Sequence, residues 1–503
     1  MLAALPEVTA TTRTRQARFA ELGAQPLDLV MAVVASAWLA YVLLATRKLD
    51  LIASDDAFIS FQYARNLGLG HGLVFNTGER VWGFTSPLQT LLLGGTTALG
   101  LDTVSVAFFY GFLWTAVASF LLYRLAKRLV SEAGALAIAV FFLFDQSQHG
   151  TYALESHLLI VTQLAFLLAV TARSCNLAAI LAALACLARP DSLLLVVPVL
   201  LASPGCRRLK PVLCFLAIGL AWESFALIYF KSWLPQSLNA KAGLSRFFPF
   251  MENAIHDLSS CGLTRILGIP SRGTAVQLLL LSPSVLLMFK ARVRTQPVLW
   301  LSLVVYPWLL IFAYGCIGSV ADHNWEVYSS RFISCVSIGL ALVSLGEWAV
   351  GRLRLERGIQ AALASSLALL AFSYAGRHAT DTPRALAAEI GDFWVGKRYL
   401  ALRNLADWAK ASTRADSSIA LVEAGTLAYF SGRPIVDQAG IITRGGLPEE
   451  RMNLVAVLRR FAPMYAVVYG NADRLTVSSG LGYERIASLP NQGYAELSVL
   501  KRR

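Results

Sequence analysis

The chain has 503 residues, of which 56% are hydrophobic and only 15% charged, against roughly 45 to 50% apolar and about 25% charged in soluble domains. Its mean hydropathy of +0.57 excludes an ordinary soluble enzyme and places most of the chain in a bilayer. The formal net charge is +13, but Lys and Arg are scattered between apolar runs rather than gathered in one block, so they mark membrane topology and not a nucleic-acid surface.

Residues 1–25 are polar and basic, with Arg13, Arg15 and Arg18, and the apolar run that follows carries no small-residue cleavage site. This pattern predicts a cytoplasmic N-terminal segment and a retained first span, not a signal peptide. About 20 apolar residues cross the roughly 30 Å hydrocarbon layer as a helix. Runs of this kind, about 11 in all, predict spans at 28–46, 103–122, 133–146, 156–171, 176–188, 191–203, 211–230, 275–290, 297–316, 331–350 and 358–375. Alternate connections carry Arg124/Lys127/Arg128, Arg173, Arg207/Arg208/Lys210, Lys290/Arg292/Arg294 and Arg352/Arg354/Arg357. With positive loops inside, these sit in the cytoplasm. Residues 49–102, 146–155, 231–273 and 318–330, and everything after 376, then face the outside.

Spans 176–188 and 191–203 are too short to cross upright, and the charged tip Arg189-Pro190-Asp191 joins them. Charges at that depth are tolerated only beside protein or water, which predicts a cavity opening in the outer half of the membrane. The transmembrane region is expected over 26–375. From 376 to 503 the pattern changes to alternating helix and strand: a helix at 395–410, strands at 418–422 and 435–436, a helix at 448–460 and a strand at 465–469. A small extracytoplasmic α/β domain is the expectation. The seven cysteines are mostly in or beside apolar runs and show no CxxC spacing, so neither a disulfide framework nor a cysteine zinc site is predicted.

The first outside loop opens Ser54-Asp55-Asp56-Ala57-Phe58-Ile59-Ser60. The ordinary explanation is an N-cap followed by acidic residues at the positive end of a helix. The catalytic one is that transfer from a lipid phosphate needs a carboxylate to deprotonate the acceptor and cations to hold the departing phosphate. Asp55 and Asp56, near Arg65 and Arg80, suit that chemistry, and burial or mutual repulsion would raise one of the two pKa values.

Three stretches carry a resemblance: Asp55-Asp56-Ala-Phe-Ile-Ser-Phe-Gln62-Tyr63-Ala-Arg65-Asn66, Gly70-His71-Gly72-Leu-Val-Phe-Asn76 and Gly78-Glu79-Arg80-Val-Trp82-Gly83-Phe-Thr85-Ser86-Pro87. They resemble the first periplasmic loop of GT-C membrane glycosyltransferases, above all the terminal arabinofuranosyltransferases of the mycobacterial envelope and their pilin-modifying relatives. Sparser matches follow at Tyr152-Ala-Leu-Glu155, Leu187-Ala-Arg189-Pro190-Asp191, Leu234-Pro235 to Lys241, Tyr328-Ser-Ser-Arg331-Phe332 and Tyr429 to Asp437. Gln62 and Trp82 depart from the Arg and Glu of many members, at positions linked to sugar specificity.

The resemblance implies an α-helical polytopic membrane protein of GT-C fold with a C-terminal extracytoplasmic α/β domain, in a bacterial inner membrane. It implies an inverting transfer of a sugar from a polyprenyl-phosphate donor to a hydroxyl of an envelope polysaccharide, glycolipid or exported protein. Arabinofuranose is the first expectation for the sugar and a hexose the alternative. A lipid-linked sugar flippase is the competing class, but the inverted or parallel repeats it would carry are not evident. The base falls to Asp55 or Asp56, with Asp55 slightly favoured. Arg65, Arg80, Arg189, Asp191, Lys241, Arg331 and Glu155 are the candidate donor-binding residues. For each an ordinary alternative stands: an Arg189–Asp191 ion pair, snorkelling for Lys241 and Arg331, a plain helix-end carboxylate for Glu155. A divalent cation shared by carboxylates and phosphate fits the chemistry without being required. The six histidines lack zinc-ligand spacing.

Overall fold

In the computed structural model the described residues are 26–145, 150–241, 297–317, 328–352, 357–388, 396–443, 453–470, 481–489 and 496–503. The expected span 275–290, together with His149, His256, His323 and Trp325, lies outside them.

Helix α1 (Pro26–Thr46) is followed by α2 (Asp55–Gly68) and α3 (Pro87–Ala98), both within the first outside loop, and then by α4 (Thr103–Ala126) and α5 (Glu132–Leu143). Next come α6 (Ser156–Thr171), α7 (Cys175–Ala188), a 3₁₀ turn at Pro190–Ser192, α8 (Leu193–Ala202), α9 (Leu209–Phe230) and the short α10 (Gln236–Lys241). The helix α11 (Pro297–Ile317) contains one π-helical stretch, Leu301–Val305. It precedes α12 (Tyr328–Arg352), α13 (Arg357–His378) and α14 (Asp381–Ala388). Five of these, α1, α4, α9, α11 and α12, are long and apolar enough to cross a membrane, and the protein is a multi-pass membrane protein.

Several helix starts follow from single side chains. Ser86 accepts from Gln89 N ahead of Pro87, Asp102 accepts from Ser105 N and Ser131 from Gly134 N, each satisfying an orphan first-turn donor. Ser54, the expected cap of α2, makes no such bond, and its buried Oγ has no partner among the described residues. The short pair is confirmed: α7 has 14 residues and α8 has 10, about 21 and 15 Å at 1.5 Å per residue, each short of the roughly 30 Å hydrocarbon layer.

Among the described residues, positive connections meet at one end of the bundle. Buried Asp28, at the start of α1, pairs with Lys127 at 2.5 Å and Arg124 at 3.4 Å, at the end of α4. Arg128 donates to Thr171 at the end of α6, and Ser131 N donates to Glu347 of α12. At the opposite end lie α2, α3 and the C-terminal domain.

That domain begins with α15 (Arg398–Ser412) and continues through β1 (Ile419–Leu421), α16 (Gly425–Ser431), β2 (Ile435–Asp437), α17 (Leu454–Phe461) and β3 (Tyr465–Tyr469) to β4 (Tyr483–Leu489) and β5 (Leu497–Arg502). The sheet order is β2-β1-β3-β5-β4, with β1 parallel to β2 and β3, and β5 antiparallel to β3 and β4. The parallel half agrees with the alternating pattern of the sequence, while α16 and the antiparallel strands β4 and β5 are additions to it.

Helix α2 buries Ala57, Phe58, Ile59, Phe61, Gln62, Tyr63, Ala64 and Asn66, nearly its whole circumference, because it is packed between two bodies. Phe58 and Phe61 join the bundle core, whereas Ile59 and Tyr63 share a second core with Leu405, Leu421, Leu427 and Ile435 of the domain. First loop and domain therefore fold against each other as one unit.

Close packing leaves no room at Gly111 of α4, where a Cβ would lie 2.0 Å from the backbone oxygen of Tyr152. Gly95 of α3 has nothing within 4 Å of that position. Gly111→Ala is expected to lower the heat-unfolding midpoint of the detergent-solubilised protein, by an amount equivalent to about 1–3 kcal/mol. Gly95→Ala should leave it unchanged or raise it slightly; equal midpoints for the two variants would contradict the packing described.

Candidate active site

The acidic pair divides between two jobs. Successive residues of an α-helix point about 100° apart, so Asp55 and Asp56 at the start of α2 cannot face the same way. Asp55 turns into the C-terminal domain, where its carboxylate accepts Thr426 N–H at 2.7 Å and Gly425 N–H at 3.1 Å. The approach requires glycine at 425, since a Cβ there would stand 2.1 Å from the Asp55 backbone oxygen. Burial pushes the Asp55 carboxyl up to about 6, with the neighbouring Glu423 carboxylate adding to the rise and the Thr426 hydrogen bonds opposing it. Glu423 is itself held by Arg398 and by the hydroxyl of Tyr469.

Asp56 faces a cavity. Its walls include Ser60 of α2, Glu155 at the start of α6, Arg189 at the α7–α8 tip, Tyr314 of α11 and Ser237 of α10. Ile441 of the C-terminal domain also lines it. Arg189 is 5% exposed, and each of its guanidinium nitrogens has a partner: Nη1 donates to Glu155 Oε1 at 2.8 Å, Nε to Asp191 Oδ2 at 3.0 Å and Nη2 to the Tyr314 hydroxyl at 2.7 Å. Tyr314 donates in turn to Asp191 at 2.7 Å. Removing one member would leave a buried charge uncompensated, which makes such networks rigid. Both alternatives for Arg189 and Asp191 thus meet in one place: they form the ion pair, and Arg189 also lines the cavity beside Asp56 and Glu155.

The other expected donor-binding residues are not all brought here. Arg65 donates to the Tyr429 carbonyl at 2.5 Å and lies 5.1 Å from the centre of that ring, so it ties α2 to the domain. Arg80 lies 4.5 Å from the ring of Tyr229 and lines a separate cleft with Lys231. Arg331 lines another groove, between α5 and α12. Lys241 closes α10, and its side chain lies outside the described residues. Gln62 donates to the Phe75 carbonyl at 3.3 Å and Trp82 is buried against Trp222 and Phe230; both support the loop. His157 is a satisfied core histidine, its ring nitrogens bonded to Thr115 and Thr151. Among the described residues no three His, Cys, Asp or Glu side chains are grouped as a metal site needs.

Some contributors were not singled out by the sequence. Tyr314 is the plainest: its signal was a hydroxyl-bearing ring near the outer end of an apolar run, which an interfacial aromatic belt explains equally well. The roof of the cavity is another. Asp437, whose carboxyl burial also pushes up to about 6, accepts from Ala439, Ile441 and Ile442 N–H and folds that loop over the site. Gln236 Nε2 fastens the loop by donating to the carbonyls of Gly440 and Thr443, and Asn76 pairs through both amide atoms with the Ile435 backbone.

A family model described as a domain of unknown function (DUF8728) matches residues 393–500. No curated protein matches the chain in sequence. In structure it is similar to ArnT from Cupriavidus metallidurans bound to undecaprenyl phosphate, at 13% identity and TM-score 0.56 over 94% of this chain and 97% of that one. The apo state of the same protein aligns at 14% identity and TM-score 0.58, with the same coverage. Arabinosyltransferase EmbB from Mycobacterium smegmatis aligns at 14% identity over 80% of this chain and 44% of that one, with a TM-score of 0.38, a loose superposition. The chain has the fold of ArnT, with a C-terminal α/β domain.

Both Asp55 and Asp437 hold their protons more tightly folded than unfolded. Their stabilising contribution is complete below the ordinary carboxyl value of 3.8 and is lost as pH rises through about 6. A shift of this size corresponds to up to about 3 kcal/mol per group. The heat-unfolding midpoint is therefore expected to fall between pH 5 and pH 7. Asp55→Asn, which removes one of the two titrations, should make that fall shallower. A midpoint that rose over this interval, or an unaltered slope in the variant, would contradict the assignment.

Proposed function

We propose that this protein is a membrane glycosyltransferase that moves a sugar from a polyprenyl-phosphate carrier to an acceptor hydroxyl, with Asp56 as general base. The observation that carries the proposal is the convergence of Asp56, Glu155 and the Arg189–Tyr314 network on one cavity at the outer edge of the bundle. The ArnT fold, seen there with undecaprenyl phosphate bound, supports the lipid class of the donor.

In the reaction an Asp56 carboxylate oxygen takes the proton of the acceptor hydroxyl while the hydroxyl oxygen forms its bond to the anomeric carbon. The bond from that carbon to the phosphate oxygen breaks, its electron pair leaves with the phosphate, and configuration inverts. A positioned base of this kind is worth roughly 10²- to 10⁴-fold. Arg189 aims Glu155, and Glu155 accepts from sugar hydroxyls. Lys241 lies four residues after Ser237, which lines the cavity. We assign Lys241 to the leaving phosphate, the role the resemblance implies for it. Asp55 acts through the domain it holds. Arabinofuranose is the proposed sugar, with a hexose as alternative, and the acceptor is an envelope polysaccharide, glycolipid or exported protein.

Reconstituted protein supplied with labelled polyprenyl-phosphate pentoses and hexoses and a panel of acceptors tests this directly. Asp56→Asn is expected to reduce transfer at least 100-fold. Asp55→Asn should cost less, together with the shallower pH dependence of unfolding described above. Full transfer by Asp56→Asn would remove the base, and lipid movement across vesicles without any transfer would favour a flippase. The proposal also puts the positive connections in the cytoplasm and the site outside. A reporter fused after Arg503 should accordingly be active only in the extracytoplasmic compartment; cytoplasmic activity would reverse the topology.

A further inference from the structure

The roof of the Asp56 cavity is shaped by one residue and placed by another. Asp437 shapes it: its carboxyl oxygens accept from Ala439, Ile441 and Ile442 N–H, and its own N–H donates to Thr443 Oγ1 at 2.7 Å. All of these bonds lie within residues 437–443, so they curl the loop without attaching it to the bundle. Among the described residues, the hydrogen bonds that reach this loop from outside the C-terminal domain both come from Gln236 of α10. Its Nε2 donates to the Gly440 carbonyl at 2.7 Å and to the Thr443 carbonyl at 2.6 Å. Gln236 is itself anchored, its backbone N–H donating to the Trp82 carbonyl at 2.7 Å.

This arrangement demands an amide. A side chain that meets two carbonyl oxygens must offer a donor to each, and the NH₂ of glutamine does so with both of its protons. Glutamate has nearly the same size but no donor when ionised, and would set a carboxylate against the two carbonyls. The bonds act beside the reacting groups. Ser237, the residue after Gln236, lines the cavity, and so does Ile441, which sits between the two bonded carbonyls. Ile441 rests on the first loop at Gly83, where a Cβ would lie 2.7 Å from Ile441 Cγ2. Contact that close shuts water out of the seam between roof and wall, provided that the loop stays where Gln236 holds it.

We propose that Gln236 is a positioning residue that seals the Asp56 cavity against water, so that the sugar passes to an acceptor hydroxyl and is not lost by hydrolysis. The inference rests on the transfer reaction proposed above. Water competes in that reaction by the same route. Its oxygen bonds to the anomeric carbon while Asp56 takes one of its protons, the bond from that carbon to the phosphate oxygen breaks, and the electron pair leaves with the phosphate. The products are free sugar and polyprenyl phosphate. A carboxylate placed to deprotonate an acceptor hydroxyl deprotonates water too if water arrives, and keeping it out falls to the walls of the site. Ile441 is the part of those walls that the C-terminal domain contributes, so its place depends on bonds made across the interface. The seal matters most while donor is bound and acceptor absent.

The test follows labelled polyprenyl-phosphate sugar in the reconstituted full-length protein and measures free and transferred sugar side by side, with and without acceptor. The wild type is expected to release little free sugar when acceptor is withheld. Gln236→Glu should raise the ratio of hydrolysis to transfer about tenfold or more, the size expected from losing two amide bonds. Ile441→Ala, which opens the seam and leaves Gln236 in place, should raise it in the same direction. Asp56→Asn should lose both reactions together. Arg433→Gln, which removes bonds to Lys410, Thr413 and Ser431 within the domain, should lower the unfolding midpoint and leave the ratio unchanged. Hydrogen exchange over residues 439–442, read by mass spectrometry, should quicken in Gln236→Glu. Transfer by the wild type with an unchanged ratio in Gln236→Glu and Ile441→Ala would overturn this inference alone. An equal rise in Arg433→Gln would also overturn it, because general loosening would then explain the effect, and unaltered exchange would show that Gln236 does not place the roof. A wild type that neither transfers nor hydrolyses would overturn the transfer reaction and this inference with it.

Discussion

The bond between the Asp55 carboxylate and the first backbone N–H groups of α16 is the constraint on which the rest of the outer face depends. It fastens two parts of the chain separated by 371 positions at Thr426, one at the membrane edge and one in the C-terminal domain. Once it is made, α2 is fixed in rotation, and Asp56 must face the cavity. The domain is fixed as well, and its 439–443 loop becomes the roof over the site. The bond costs something. A carboxylate buried beside Glu423 is held against desolvation and like charge, and backbone donors only partly offset both. Arg65, Asn76 and Gln236 distribute the load by adding contacts around it that involve no second buried carboxylate.

Charge inside the cavity is arranged differently. Arg189 is shared by Glu155 and Asp191 and steadied by Tyr314, so its positive charge is spent internally, and the walls present the carboxyl groups of Asp56 and Glu155. Such an environment suits a developing positive charge on a sugar ring and the acceptance of a hydroxyl proton. It does not suit a departing phosphate, for which the cation has to come from the rim of the cavity.

Much of the bundle was legible because crossing a bilayer demands long apolar runs, and interior charge demands alternate positive connections. The observed helices fall on the expected runs wherever the residues are described, and Asp28 with Lys127 and Arg124 brings the start of α1 to the same end as the 124–128 connection. The acidic pair was legible as a site but not as two roles. Local sequence makes Asp55 and Asp56 equivalent, and only the distant Gly425 separates them. Arg65 and Arg80 were misleading for the same reason: proximity in sequence to a carboxylate says nothing about a Tyr429 or Tyr229 ring brought up by tertiary packing. Strands β4 and β5 escaped notice because β4 alternates little, with Glu484, Arg485 and Ile486 all exposed on an edge.

The short helices α7 and α8 explain why the site lies where it does. Neither is long enough to span the hydrocarbon alone, and an ion pair such as Arg189–Asp191 is tolerated at membrane depth only if its partners are supplied by protein. Glu155 and Tyr314 supply them from α6 and α11. The same shortness leaves space above the tip that no membrane helix fills, and this space is closed instead by α2 below Asp56 and by Ile441 from the domain. A cavity bounded by bundle helices on one side and by the C-terminal domain on the other can admit a lipid-borne group and a polar acceptor from opposite directions. That geometry, more than any single side chain, is what transfer between a membrane carrier and an external hydroxyl requires.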